Sequence, residues 1–316
     1  MEVELDLSVI ILNYNTRHHL AACLRSVRAE GSTTLSRPDA RYRAEALVVD
    51  NASDDGSAAM VASEFPWARV IRSPRNGGFA FGNNLALPAA RGGAILLLNP
   101  DTELAVGVLT ALLEALAAHP EAGIVGPKLV HPDGSMHLAC RRSFPTPGVA
   151  LGRLTGLSRL FPRSRVFGRY NLTFLDPDTP SAVDSVCGAC LLIRREVVRQ
   201  VGLLDERFFM YGEDLDWCLR CQAAGWTVRY EPGATVRHQH GAASRQRALR
   251  TTVHFYRAMD LFYGKHYARR YNRLLTGLVR VGIYAALLLS LARVTLRASA
   301  TPRAGRPAAP RVTVST

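Results

Sequence analysis

Ala94–Thr102 reads AILLLNPDT. Five consecutive apolar residues followed by Asn-Pro-Asp describe a strand buried on both faces that ends abruptly in polar sequence. Upstream, LSVIIL (7–12) has the same form and runs into Asn13-Tyr14-Asn15, ALVV (46–49) ends at Asp50, and ARVI (68–71) is a third short strand. Helix-periodic segments separate these strands: His19–Arg28, Gly56–Glu64 behind the capping residues Ser53-Asp54-Asp55, Phe81–Ala90 and, downstream, Val106–Ala118. Ile124–Leu129 reads as a further strand. This alternation predicts an α/β fold built on an open, mostly parallel, twisted sheet flanked by helices. Ligands of such sheets bind beyond the C-terminal ends of the strands. Asn13, Asp50 and Asp101 all fall at such ends, so the pattern predicts one shared site.

The second half is less regular. Residues 141–182 are rich in Arg, Pro and Gly with weak periodicity, which predicts a long excursion near the acceptor side of a site. Val183–Ile193 returns as strand-like sequence, followed by a helix over Arg194–Val201, the aromatic turn Phe208–Tyr211, a helix over Asp214–Ala224 and a strand over Thr227–Glu231. Residues 248–272 form a basic, aromatic helical segment. FFMYGEDLDWCLR (208–220) gathers Glu213, Asp214 and Asp216 at a helix start. Helix capping and the macrodipole favour acids there. They do not account for the aromatic residues alongside, so Tyr211, Asp216 and Trp217 are expected to face an acceptor sugar. In SPRNGGFAFGNN (73–84) glycines permit close backbone approach and Arg75 is placed to face a phosphate. Its spacing matches neither the dinucleotide fingerprint nor the P-loop. At Asp101 a hard divalent cation bridging a diphosphate would find an oxygen ligand, with Asn99 beside it.

The net charge is +13, from 39 Lys and Arg against 26 Asp and Glu. It is unevenly placed. Residues 241–316 carry 14 basic side chains and a single acid, Asp260, which leaves residues 1–240 with 25 of each sign. A neutral core domain argues against a polyanion-binding surface, and no nucleic-acid partner is expected. The basic segment contains LLTGLVRVGIYAALLLSLAR (274–293), whose uninterrupted apolar run is the 12 residues Val281–Ala292. A bilayer span needs roughly 20. The sequence therefore predicts a helix over 274–297 lying on a membrane surface with arginines at the headgroups. A Pro-, Ala-, Arg- and Thr-rich disordered tail is expected over 298–316. MEVELDLSVIILNYN carries acids where a secretory signal carries positive charge, so a cytoplasmic protein, peripheral at the inner face of the plasma membrane, is expected. Six cysteines include the pairs Cys187/Cys190 and Cys218/Cys221, 27 residues apart. That separation is wide for a zinc ribbon, so the thiols are expected to act as small buried apolar groups.

In order along the chain stand SVIILNYNT, VVDNASDDGS, RNGGFAFGNN, LLLNPDT, CGACLLIRR, LDERFFMYGEDLDWCLR and YEPGATVRHQHG. Together they closely resemble the inverting GT-A glycosyltransferases of family 2, and within them the rhamnosyltransferase-like branch. The resemblance covers about residues 6–245. It implies a GT-A domain over 1–245, with a nucleotide-sugar half (1–130) and an acceptor half (131–245), followed by a basic helical extension over 246–297. Asp50 looks like the nucleobase contact. Asp101 looks like the metal-binding acid of the family's Asp-x-Asp motif, with Asn99 in place of the first acid, and the cofactor implied is Mg²⁺ or Mn²⁺. His238 falls where such enzymes place a metal-ligating histidine, with His240 as runner-up. Asn13, Asn15, Asn51, Asn76, Gly78 and Asn84 join Asp50, Arg75 and Asn99 as donor-binding candidates. Asp214 looks like the base that deprotonates the acceptor hydroxyl, with Glu213 raising its pKa.

Inverting transfer needs one base behind the acceptor hydroxyl and one cation on the leaving diphosphate, and no nucleophile of the chain. The implied activity is transfer of L-rhamnose from dTDP-rhamnose to a glycan or polyprenyl-linked acceptor in cell-envelope polysaccharide synthesis. A UDP-hexose donor and a non-catalytic nucleotide-sugar-binding module are the alternatives. A sugar nucleotidylyltransferase would carry a glycine-rich, Lys/Arg-bearing loop where Asn13-Tyr14-Asn15-Thr16 stands.

Overall fold

The computed structural model describes residues 5–30, 42–239 and 248–300. Eleven strands and ten α-helices follow one another in them. The first half runs β1 (Leu7–Asn13), α1 (Arg17–Ala29), β2 (Ala44–Asp50), α2 (Ser57–Glu64), β3 (Ala68–Arg72), α3 (Gly78–Ala86), β4 (Ala94–Leu98), β5 (Thr102–Leu104), α4 (Val108–Ala118) and β6 (Ala122–Val130). The second half runs β7 (Arg141–Arg142), α5 (Pro147–Leu154), α6 (Leu157–Leu160), β8 (Ser181–Val183), β9 (Ser185–Val186), β10 (Cys190–Arg194), α7 (Arg195–Val201), α8 (Glu213–Ala223), β11 (Thr227–His238), α9 (Ala248–His266) and α10 (Arg273–Ala300).

Nine strands form one sheet in the order β3-β2-β1-β4-β10-β6-β11-β5, with β8 also paired to β11. The first four strands in this order, β3, β2, β1 and β4, pair in parallel. Val9, Ile10, Ile11, Leu47, Val48, Val49 and Leu96 are all buried, as expected for strands covered by helices on both faces. Parallel pairing in register puts Asn13 opposite Asp50.

Beyond β4 the sheet is mixed. β10 runs antiparallel to both β4 and β6, and β11 runs parallel to β6 but antiparallel to β5 and β8. The sequence expectation of parallel pairing therefore holds in the first half and fails in the second. The connection from β6 to β10 is the long 131–189 excursion and not a single crossover helix, so nothing forces β10 to run parallel. The continuous strand expected at Val183–Ile193 breaks at Cys187-Gly188-Ala189, and β11 is longer than expected. A register shift between Glu231 and Thr235, at Pro232-Gly233, carries β11 past its expected end to His238.

The basic C-terminal segment is not a free appendage. Ala258, Phe262, Tyr263 and Tyr267 pack with Phe208 and Leu215 in a second apolar cluster, so α9 sits on the turn that leads into α8. α10 folds back along α9 as an antiparallel hairpin. Tyr263 meets Thr276 (3.2 Å), Arg280 pairs with Asp260 (3.0 Å) and Tyr256 meets Ser290 (2.7 Å). The other side of α10 exposes Leu274, Leu278, Val281, Leu288, Leu289 and Leu296. Its segment Arg273–Leu296, at 24 residues, is long and apolar enough to cross a membrane, which exceeds the apolar run read from the sequence. The expected domain boundary at 245, His240 and residues 301–316 lie outside the described residues.

Candidate active site

Asp50, Asp101 and Asn13 stand at the C-terminal ends of β2, β4 and β1, where the sheet topology places a ligand. Asn13 is fully buried. Its amide donates to Asp50 Oδ1 (3.4 Å) and Ser53 Oγ (3.1 Å), while its carbonyl accepts from Thr16 Oγ1 (2.7 Å). Asn13 thus positions the Asp50 loop. Asp50 makes only long contacts, the second from Ser53 N–H (3.3 Å), which leaves its carboxylate capacity for another donor. Asn15, at φ +51°, accepts from Asp54 N–H (2.9 Å) and locks β1 to the same loop.

The 73–84 loop is largely structural. Asn51 holds it through Asn76 Oδ1 (3.1 Å) and Gly77 N–H (3.2 Å). Gly78, at φ +87°, is needed because a Cβ there would lie 2.2 Å from Phe209 O. Its expected closeness to a donor is thereby corrected: what approaches its backbone is the aromatic turn, to whose Phe209 carbonyl Phe79 N–H donates (2.7 Å). Asn84 is corrected too. It is buried and clamps the 204–206 segment through Leu204 O (2.9 Å), Leu204 N–H (3.1 Å) and Glu206 Oε1 (3.0 Å). Arg75 remains exposed, its guanidinium 5.0 Å from the Phe81 ring centre. Asn99 spends its main chain on the fold: N–H to Ala189 O (2.8 Å) and carbonyl to Thr102 Oγ1 (2.6 Å).

Asp101 and His238 come together because β11 pairs with β5. Register places His238 opposite Thr102, and Gln239 N–H donates to Asp101 O (2.9 Å). Asp101 Oδ1 lies 3.2 Å from His238 Nε2, both side chains buried. Adjacent ligands of an octahedral cation, at about 2.1 Å each, stand about 3 Å apart. One carboxylate oxygen and one imidazole nitrogen at this separation fit two positions of Mg²⁺ or Mn²⁺, the rest falling to diphosphate and water. His137 packs edge-on against His238 (ring centres 5.5 Å) and His131 against His137 (5.0 Å), which fixes the ring orientation.

The acids of α8 divide by face. Tyr211 (φ +71°) and Gly212 (φ +84°) form a left-handed elbow immediately before the helix. Strain of this kind in a non-glycine residue is held by its surroundings, here the Phe255 ring at 5.7 Å. Asp214 Oδ2 accepts from Arg142 (2.6 Å) and from Gly188 N–H (3.0 Å), and Oδ1 from Leu215 N–H (2.7 Å). Burial opposes the Arg142 charge, but the Asp214 carboxylate outweighs it and holds the guanidinium charged. Glu213 is buried, and its Oε2 has no hydrogen-bond partner among the described residues. Burial first, then the Asp214 charge, push its pKa up to about 8. The sequence expectation that Glu213 would raise Asp214 is met by the reverse shift, on Glu213 itself.

Asp216 and Trp217 do not reach an acceptor. Asp216 is completely buried between Arg220 (2.9 Å), Lys265 (2.6 Å) and His266 (2.7 Å). Burial would raise its pKa, and the His266 and Lys265 hydrogen bonds with the Arg220 charge bring it below the usual range. Trp217 lies in the main core with its indole N–H on Gly202 O (2.9 Å). Arg142, Gly188, Lys265 and His266 are participants the sequence reading missed, because their partners lie 72, 26, 49 and 50 residues away. All six cysteines are free thiols, and burial pushes Cys187 and Cys221 up to about 12.

The profile of glycosyl transferase family 2 matches residues 8–202. An N-acetylglucosaminyl-diphospho-decaprenol L-rhamnosyltransferase of Mycobacterium tuberculosis (strain ATCC 25618 / H37Rv) is 32% identical over 244 residues, 73% of this chain and 75% of that protein. The low-salt glycan biosynthesis hexosyltransferase Agl10 of Haloferax volcanii is 27% identical over 221 residues, 69% of this chain and 62% of that one. Among solved structures, the mannosyltransferase PcManGT from Pyrobaculum calidifontis, in complex with GDP-Man and Mn²⁺, superposes with TM-score 0.56 at 16% identity, covering 96% of this chain and 77% of its own. GalNAc-T7 with UDP, GalNAc and Mn²⁺ gives TM-score 0.53 at 17% identity, covering 83% and 50%. With strand-end acids, a helix-borne acid pair and this sheet order in common frame, the chain belongs to glycosyltransferase family 2 and is a glycosyltransferase of GT-A fold.

Proposed function

We propose that the protein transfers L-rhamnose from dTDP-rhamnose, with inversion, onto a hydroxyl of a polyprenyl-diphosphate-linked glycan at the inner membrane surface, in cell-envelope polysaccharide synthesis. The observation that carries the chemistry is the division of roles at the start of α8. Asp214, paired with Arg142, stands next to a Glu213 whose carboxyl burial pushes up to about 8. The donor and acceptor follow the rhamnosyltransferase relative, which acts on a decaprenol-linked acceptor by its name.

In this reading Asp50 accepts from the imide N–H of the thymine or uracil ring. Asp101 and His238 hold a divalent cation, which when bound would stabilise charge on the leaving diphosphate. Asp214 takes the acceptor proton. Its Oδ1 accepts only Leu215 N–H, so a lone pair is left for the hydroxyl, while Arg142 and Gly188 N–H fix its orientation. Protonated Glu213 contributes no second negative charge beside the base, so two carboxylates take two roles set by environment. Tyr211 faces the acceptor sugar. Membrane contact comes from the exposed apolar side of α10. The in-plane position is favoured over a span because α9, packed along α10, carries Arg257, Asp260 and Lys265, which hydrocarbon would not tolerate.

The test is melting shift and slow donor hydrolysis with dTDP-rhamnose, UDP-glucose, UDP-galactose, UDP-GlcNAc and GDP-mannose, with and without Mn²⁺ or Mg²⁺. Metal-dependent stabilisation by dTDP-rhamnose, with release of dTDP, is expected. Selective response to a UDP-hexose would replace the donor, and no response to any donor would sink the transfer reading.

A further inference from the structure

The α9–α10 hairpin and Arg207 line an open cleft of about 380 Å³ that the transfer chemistry leaves unused. Four side chains of its wall are cationic, Arg207, Arg257, Lys265 and Arg280, against one acid, Asp260. Three of the cations are steadied by carboxylates: Arg207 and Lys265 by Asp205 (2.6 and 2.7 Å), and Arg280 by Asp260 (3.0 Å). Arg257 is exposed on α9 and makes no ion pair among the described residues. The wall is thus a preorganised cationic cup with one uncommitted guanidinium. Planar guanidinium groups in such a cup bind phosphate oxygens two at a time.

Two neighbours give the cup a direction. On one side, Arg280 and Tyr284 of its wall belong to α10, whose outer side exposes Leu278, Val281 and Leu288. A chain lying on that apolar stripe would have its polar end beside the cup. On the other side, Lys265 bonds to Asp216 (2.6 Å), on the face of α8 opposite Asp214. Ala258, next to Arg257, approaches Gly212, the residue before Glu213: a Cβ on Gly212 would lie 3.6 Å from the Ala258 Cβ. The cup therefore lies between an apolar stripe and the elbow at the start of α8, a position that suits one ligand chemistry. That ligand has an apolar tail, a strongly anionic middle and a sugar at its far end.

We infer that this cup binds the diphosphate of the lipid-linked acceptor, with Arg257 and Arg280 on its phosphate oxygens and the lipid chain along the outer stripe of α10. The inference rests on the proposed lipid-linked acceptor, and its test is run without donor so that the two stand or fall separately.

Full-length protein is co-sedimented with phosphatidylcholine vesicles that contain polyprenyl diphosphate, polyprenyl monophosphate or, at matched surface charge, phosphatidylglycerol. Binding to the diphosphate vesicles is expected to be tightest and to be competed by inorganic diphosphate. Arg257→Glu, which removes an exposed side chain with no ion pair, is expected to weaken binding to those vesicles by about tenfold or more, the cost of a charge-assisted hydrogen bond. Phosphatidylglycerol binding should change far less, and Arg257→Lys should recover part of the loss. Equal affinity for phosphatidylglycerol vesicles at matched charge would show a general anionic-surface contact and overturn the inference. So would an Arg257→Glu variant that keeps full affinity for the diphosphate vesicles. Wild-type donor hydrolysis, measured alongside, reports on sugar transfer whatever the vesicles show.

Discussion

The two faces of α8 put the same residue type to opposite uses. Asp214 and Asp216 are both buried and both ion-paired. Asp214 meets one guanidinium and two backbone N–H groups, and all of its side-chain partners come from the elements around the strand ends. Asp216 meets Arg220, Lys265 and His266, the last two from α9. The first arrangement leaves acceptor capacity on one oxygen. The second consumes the carboxylate in joining α8 to the C-terminal hairpin. What marks a candidate base is therefore what its partners leave over, and burial or charge alone does not separate the two.

Asparagine substitutions at these two positions test the contrast most strongly. Asp214→Asn keeps one acceptor oxygen, enough for Gly188 N–H and Arg142, and gives up the one that Leu215 N–H uses, so the fold and donor binding should largely persist while kcat falls by about 10²–10⁴-fold, the usual contribution of a general base. Steady-state kinetics with a melting curve on the same sample checks both halves. Asp216→Asn should do the reverse. It strands Arg220, Lys265 and His266 around a neutral group, with a loss of about 3 kcal/mol in unfolding free energy and kcat per folded molecule little changed. Denaturant titration measures the first and active-fraction-corrected kinetics the second. A stable Asp216→Asn variant with kcat reduced as far as Asp214→Asn would erase the distinction.

The strand-end half offers a smaller effect. His238→Ala removes one of the two proposed chain ligands, so affinity for Mn²⁺ in the presence of dTDP should drop by more than the roughly 10–100-fold that loss of a supporting partner costs, read as the metal-dependent melting shift. Nucleotide binding through Asp50 should survive, because Asp50 is held by Asn13 and Ser53 and not by the metal pair.

The same contrast explains what could be read from the chain. Strand ends carry their information locally: an apolar run followed by Asn13, Asp50 or Asp101 announces the element, and parallel topology gathers the three residues at one edge of the sheet. α8 announces its acids but not their directions. Glu213, Asp214, Asp216 and Trp217 lie within five residues, and only packing against Arg142 on one side and Lys265 and His266 on the other sorts them. Arg142 gave no periodic signal inside the 141–182 excursion. Gly78 and Asn84 are donor candidates, and in the fold their neighbours are the Phe209 carbonyl and the 204–206 segment, contacts that no local pattern announces. β11 outruns its expected end at Glu231 because an irregularity at Pro232-Gly233, a pair that ordinarily ends strands, carries it on to His238.

Glu213 gives the smallest effect on catalysis and separates the roles within the pair. Its carboxyl is pushed up to about 8 in the fold by burial and the Asp214 charge, partly countered by Arg142, and it is near 4.5 when exposed. Below about pH 4.5 both states hold the proton and the side chain costs nothing. As pH rises from there towards 8, the unfolded chain releases the proton while the folded chain retains it, so folding loses stability through that window and the loss levels off above it. Gln cannot titrate and mimics the protonated form. The melting temperature of Glu213→Gln relative to wild type should therefore climb steadily between pH 5 and pH 8 and then flatten, with kcat at pH 7 reduced far less than in Asp214→Asn. A difference in melting temperature that stays constant with pH would mean that Glu213 is ionised in the fold. The pair would then hold two negative charges against one arginine, and Glu213 would compete with Asp214 for the acceptor proton.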